Sequence, residues 1–197
     1  MEISKLKEKG LQLKTKLATL VIDCFQDDTE KLCTEAEKAD FGLSSKPFAK
    51  NERLDVDKRI FSWPGEYEVK GIAVHSHPVS EVIDKVTPPL LFVIYTEQFK
   101  VCYLPVLTKE IHSDLIEKIG DVDLLIFTVA GDEKILQATL EEIEPKAILP
   151  LPSAANPLAT DLFIQKLGIE KREPVEKLQF KSKSDISSEK MVAFLLS

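Results

Sequence analysis

The sequence predicts an α/β protein in which strands from both halves of the chain pack between helices. Three observations lead there. The first half alternates apolar with charged residues, as in "ISKLKEK" and "LQLKTK" on either side of Gly10, which is the pattern of half-buried hairpin strands. The second half alternates helical and strand patterns. The length of 197 residues, with 44% hydrophobic and 30% charged content, suits an ordinary globular chain with one substantial core. No repeat, low-complexity stretch or linker divides it, so residues 1–197 read as a single domain.

Each element has its own signal. "LATLVIDCF" (Leu17–Phe25) is continuously apolar, as a strand buried on both faces would be. A short helix over Thr29–Lys38 and a strand near Ala39–Ser45 are expected next. "TKEIHSDLIEKIG" spaces Ile111, Leu115 and Ile119 helically and stops at Gly120, with His112 as a surface residue on that helix. "VDLLIFTVA" (Val122–Ala130) is a buried strand. "DEKILQATLEEIE" aligns Leu136, Leu140 and Ile143 behind a capping Asp132. After the short strand "AILPL", "NPLATDLFIQKLG" begins with Asn156 as cap and Pro157 at the first helical position, and Gly168 ends it. "KLQFKSK" and "KMVAFLLS" are closing strands.

Composition narrows the function classes. The net charge of −7 argues against a nucleic-acid binder, which needs a positive field to collect phosphates. The longest apolar runs, such as "LLFVIY" (Leu90–Tyr95), are strand-sized and too short to span a bilayer. Residues 1–16 carry five lysines without the apolar core of a signal peptide. The expectation is a cytoplasmic protein with no membrane partner. Cys24, Cys33 and Cys102 form no C-x-x-C pair and are expected to be buried, reduced thiols. No two of the seven glycines lie within three residues of each other. Phosphate-cradling and dinucleotide loops are therefore absent, and no nucleotide cofactor is expected.

The stretch "PGEYEVKGIAVHSHP" reads as a hairpin, Gly65–Val69 and Ile72–His77, around a Lys70–Gly71 turn. That register sets Val69 opposite Ile72, Tyr67 opposite Val74 and Glu66 opposite His75. Tyr67, Val69, Ile72 and Val74 make an apolar face. Glu66, Glu68, His75 and His77 make a polar face turned to water. Glu66, His75 and His77 offer the three donors that a catalytic zinc would need, although His-x-His alone is a weak signal and a solvated polar face with a Glu66–His75 cross-strand pair explains them better.

At this hairpin a family comes into view. "PGEYEVKGIAV" resembles a hairpin of the small metal-dependent-hydrolase branch of the metallo-β-lactamase superfamily. "LKTKLATLVIDCF", "EAEKADFGLSSKPFAKNE", "IGDVDLLIFTVAG" and "IEPKAILPLP" are similar to further segments of the same proteins. The resemblance implies a four-layer αβ/βα sandwich, two mixed sheets flanked by helices, with metals at one edge. It also implies where the ligands should stand. Lys46, Phe48, Lys50 and Asn51 fall on the His, His, Asp and His of the family's His-x-His-x-Asp-His motif. Tyr103 falls on a further His, Val106 on the bridging Asp, and Pro152 on the last His. Asp23 falls on an Asp that supports the site rather than ligating. Phe, Val and Pro have no side-chain lone pair, and the lysines put positive charge where dications would sit. The family's hydrolysis is therefore not expected here.

Two readings follow from the sequence. One is a catalytically inactive, metal-free member of the fold, needing no cofactor and acting as a binding or interaction module. Its partner would be a small anion, received by Ser44, Ser45, Lys46 and Lys50, or another protein, and strand pairing at exposed hairpin edges could join two copies. The other is a metal-dependent hydrolase with a relocated site at Glu66, His75 and His77.

Overall fold

The computed structural model of the chain describes residues 1–6, 10–26, 31–32, 38–46, 60–80, 88–96, 98–153, 158–186 and 190–197. The strands of the first half are β1 (Glu2–Lys5), β2 (Leu11–Lys14), β3 (Thr19–Ile22), β4 (Phe25–Gln26), β5 (Lys31–Leu32), β6 (Phe41–Leu43), β7 (Ile60–Phe61), β8 (Gly65–Val69) and β9 (Ile72–Pro78). Then come β10 (Leu90–Tyr95), β11 (Lys100–Leu104), α1 (Ser113–Ile119), β12 (Leu124–Val129), α2 (Glu133–Ile143), β13 (Ala147–Pro152), α3 (Ala159–Leu167), β14 (Glu170–Lys171), β15 (Lys177–Gln179) and β16 (Val192–Ala193).

Two mixed sheets carry the fold. The first runs β15-β1-β2-β3-β6-β7, antiparallel as far as β3 and parallel from there. The second runs β14-β16-β13-β12-β11-β10-β9-β8, parallel through β11 and antiparallel beyond it. The parallel steps β11–β12 and β12–β13 are crossovers through α1 and α2, since parallel neighbours cannot be joined by a tight turn.

The facing surfaces of the sheets share one core. Ile3, Leu13, Leu20 and Leu43 from the first sheet meet Val74, Phe92, Val101, Ile126 and Leu149 from the second. On its other face the second sheet packs Val93, Cys102, Leu125, Phe127 and Ile148 against Ile119, Leu136 and Phe163 of the helices. This explains the continuous apolar runs, because β10 to β13 are covered on both sides and need no polar face. Burial pushes the Cys102 thiol up to about 12, so it is an inert core group. No helix of the described residues is long and apolar enough to cross a membrane.

The hairpin β8–β9 has the register read from its turn: Val69 pairs with Ile72, Tyr67 with Val74 and Glu66 with His75. Lys70 and Gly71 both have positive φ, 49° and 78°, as a two-residue hairpin turn of this twist requires. Lys70 also pairs with Asp40.

Several expectations need correction. Within the span expected to be helical, Lys31–Leu32 pair as a strand with Phe25–Gln26. There backbone pairing overrides a weak local helix preference, while 27–30 and 33–37 lie outside the described residues. The apolar run from Leu17 is not one strand, because β3 stops where Asp23 turns left-handed (φ 50°). Helix α3 begins at Ala159, behind Leu158, which gives no side-chain cap. The expected cap and first position, Asn156 and Pro157, lie outside the described residues. His112 is not within α1 but is its N-cap, its Nδ1 accepting from the Asp114 N–H at 3.4 Å. Cys24 is disulfide-bonded rather than a reduced thiol, a pairing that spacing alone cannot reveal because it depends on Cα separation in the fold.

One buried charge ties the lower end of the second sheet. Asp123, 3% exposed, accepts from the Lys100 N–H at 2.9 Å and the Lys146 ammonium at 2.6 Å, and pairs with Lys183 at 3.1 Å. Burial alone would raise its carboxyl, but the bonds from Lys146, the Lys100 backbone and Lys183 outweigh it and hold the group below the ordinary carboxylate range. A depressed folded-state value stabilises the protein above the unfolded-state value, and the contribution disappears as pH falls through the folded one. Asp123→Asn should therefore cost about 1–3 kcal/mol at neutral pH. In urea titrations, the gap between variant and parent should shrink steadily below about pH 4. A gap that stays constant into acid would contradict this account.

Candidate functional site

In open α/β sheets, ligands bind outside the carboxyl ends of the strands, where the chain diverges into loops. Five strand ends converge here. Asp23 follows β3, Ser45 and Lys46 follow β6, Pro105 and Val106 follow β11, Ala130 follows β12, and Pro152 ends β13. Together with Lys5, Leu6, Gly10 and Leu11 of the first hairpin, they line a cleft of about 550 Å³. A smaller cavity of about 370 Å³, lined by Thr15, Phe99 and Phe180 among others, lies at the opposite ends of the strands and holds neither carboxylate nor histidine.

The floor of the cleft is built around Asp23. Its left-handed backbone lies against Gly10, where an added Cβ would come within 2.4 Å of the Ile22 carbonyl oxygen and 2.8 Å of the Asp23 carbonyl. Only glycine permits that approach. The Asp23 N–H donates to the Leu43 carbonyl at 2.9 Å, and the Leu90 N–H donates to the Ser45 carbonyl at 2.7 Å. The Asp23 carboxylate then collects three donors, each at 2.7 Å. The Ser45 N–H reaches Oδ1, while the Ser45 and Tyr103 hydroxyls reach Oδ2. Tyr103 stands on β11 and Asp23 just past β3, so this network joins the two sheets. Tyr103 is 6% exposed. Burial first, then the charge of Asp23 and the hydrogen bond to it, raise the phenol well above its ordinary value.

Five of the eight positions that the resemblance singled out, Asp23, Lys46, Tyr103, Val106 and Pro152, line this one cleft. Phe48, Lys50 and Asn51 lie outside the described residues. Ser44 is buried, with its hydroxyl donating to the Lys46 carbonyl at 2.7 Å. Both Ser45 donors are committed to Asp23, and Lys46 is exposed at the rim. Sequence reasoning missed the Asp23–Ser45–Tyr103 link and the contribution of Lys5, Leu6 and Gly10. No signal connects Tyr103 to a carboxylate 80 positions earlier in the chain, and Gly10 read only as a turn.

The described lining does not fit a zinc pair. Zinc needs nitrogen, sulfur or oxygen lone pairs converging from about three or four side chains. Here Asp23 is the one carboxylate among the described lining residues, it already accepts three hydrogen bonds, and Tyr103, Val106, Pro152 and Lys46 line the same cleft. Among the described residues no three His, Cys, Asp or Glu side chains converge to hold a metal ion.

Glu66, His75 and His77 are among those residues, and they do not converge as a three-donor group in this structure. The His75 ring instead packs on Tyr95 at 4.8 Å between centroids. The polar face of the hairpin is also drier than expected. Glu66 and Glu68 are exposed, but His75 and His77 are half-buried, because β9 is flanked by β10 whereas β8 is an edge. Burial, then Lys118 and His75, hold the His77 imidazole below its ordinary range.

Two sheets packed face to face, helices on the outer face of the second, and a cleft at the strand ends define the metallo-β-lactamase fold. The chain belongs to the β-lactamase superfamily: residues 2–152 match the family described as "Beta-lactamase superfamily domain". A Thermotoga maritima protein, provisionally described as a Zn-dependent hydrolase of the metallo-β-lactamase superfamily, is similar over 100% of this chain and 99% of its own, at 21% identity and a TM-score of 0.74. YhfI, a metallo-β-lactamase fold protein from Bacillus subtilis, is similar over 100% and 97%, at 13% identity and a TM-score of 0.60. Zn-bound PqqB from Methylobacterium extorquens is similar over 91% and 100%, at 12% identity and a TM-score of 0.59. At these identities the likeness is one of fold. Among proteins of curated function none matches the chain.

The floor network makes a spectroscopic prediction. A raised phenol stabilises the fold below the unfolded-state value, near 10, and the contribution is lost as pH climbs through the folded one. Absorbance titrations of the parent and Tyr103→Phe should therefore superimpose until alkaline unfolding. The variant should lose about 1–2 kcal/mol at neutral pH, from an under-satisfied Asp23, and the difference should narrow above pH 10. An extra phenolate ionising near pH 10 in the folded parent would contradict the buried hydrogen bond.

Proposed function

We propose that the protein is a catalytically inactive, metal-free member of the superfamily, retained as a single-domain binding or interaction module. The observation that carries this reading is the Tyr103 hydroxyl on Asp23, with Val106 and Pro152 on the walls beside it. In the resemblance these positions belong to metal ligands. Here a phenol donates a hydrogen bond to the one carboxylate among the described lining residues, and two apolar side chains offer no lone pair. Hydroxide activation by a metal requires an ion with an open coordination position, and the described lining offers the ion no ligand shell. What remains is a ligand-sized cleft with a polar floor and apolar walls, which is the usual form of a small-molecule site.

The test is elemental analysis of protein purified without chelators, paired with assays of phosphodiester and β-lactam hydrolysis before and after zinc addition. Metal at background levels and no zinc-dependent turnover are expected. About one equivalent of tightly held zinc, with hydrolysis that disappears in Asp23→Ala, would sink the proposal.

A further inference from the structure

The ligand class of the cleft follows from counting its hydrogens, an argument that rests on the metal-free reading above. The donors of the floor point at Asp23, since the Ser45 backbone N–H, the Ser45 hydroxyl and the Tyr103 hydroxyl all donate to its carboxylate. A carboxylate has about four acceptor sites, so an Asp23 lone pair remains, together with those of the Ser45 and Tyr103 oxygens. Three wall residues, Pro89, Pro105 and Pro152, have no N–H to offer. The Lys5 ammonium, at the hairpin side, donates to the Leu196 carbonyl at 3.0 Å. Among the described lining side chains, the Thr128 hydroxyl, the two further Lys5 hydrogens and the exposed Lys46 at the rim remain as donors.

The floor therefore presents acceptors and one negative charge, and no cation among the described residues bonds to that charge. Above it the walls are apolar. A carboxylate or phosphate would face lone pairs on the floor, whereas an ammonium would face partners for its hydrogens, and charge-assisted bonds of that kind are the stronger ones. We propose that the cleft binds a small organic cation, a primary ammonium carried on a short apolar body, with Asp23 as counter-ion. This choice runs against an anion at Ser44, Ser45 and Lys46, because the serine hydrogens that an anion would need are already used.

The experiment is a titration of the full chain with hexylammonium, 1-hexanol and hexanoate at neutral pH and fixed ionic strength, followed by amide chemical shifts. Hexylammonium should bind at least about tenfold more tightly than hexanoate, bind more tightly than 1-hexanol, and shift Ser45, Tyr103 and Val106. Asp23→Asn should weaken it, but that change also disturbs the floor. Val106→Lys is the cleaner variant: Val106 is 42% exposed at the mouth, so a lysine there should leave the fold intact by circular dichroism and abolish hexylammonium binding. Equal or tighter binding of hexanoate or hexanol, no binding of any probe, or a Val106→Lys variant that still binds would each overturn the proposal. The two readings fail separately. Stoichiometric zinc in the cleft removes the metal-free reading, whereas metal-free protein without an ammonium preference removes only this ligand class.

Discussion

A carboxylate closed into the joint between two sheets must find donors, and the upper end of this molecule is organised by how Asp23 finds them. Ser45 comes from the strand beside it and Tyr103 from the opposite sheet. Gly10 keeps the space in which the Asp23 backbone can turn, and the Leu43 and Leu90 backbone bonds hold the partners at the right height. Buried polar groups are costly singly and rigidifying when fully matched. The three short bonds on one carboxylate thus do for the sheet junction what coordinated cations would do in a metal-bearing site: they fix relative position. The opposite end has its own tie in Asp123, which uses lysines because three segments of chain with basic residues come together there.

Where local chemistry decided the outcome, the sequence was readable. The Lys70–Gly71 turn set the pairing of Glu66 with His75 and of Tyr67 with Val74, because a two-residue turn leaves one register and the alternation leaves one buried face. The α2 cap at Asp132 was legible for the same reason, its side chain accepting from the Lys134 N–H at 2.9 Å. The superfamily and the two-sheet architecture were legible through the "PGEYEVKGIAV" hairpin and the segments similar to it.

What sequence could not show were the contacts made by distance in the fold. β15 adds to the edge of β1, with Leu178 opposite Ile3, and nothing in "KLQFKSK" names that neighbour. The Tyr103 side chain read as a substituted ligand, a loss, when it is a donor with a defined acceptor. His75 and His77 looked like metal donors because spacing on a strand says which face a residue takes and not what its ring packs against, which for His75 is Tyr95. The half-burial of these imidazoles came from β10, an element that the hairpin's own sequence does not mention.

The pairing of β1 with β15 also bears on how the chain is made. During synthesis β1 and β2 emerge long before β15, so the outer edge of β1 lacks its β15 partner until residues 177–179 leave the ribosome. Until then a strand with inward-facing Ile3 and open backbone groups is a template for intermolecular pairing. Contacts so distant in sequence are also slow to form. The lysine-rich character of the first hairpin has a use on that timescale, since charge along an unfinished edge keeps nascent copies apart.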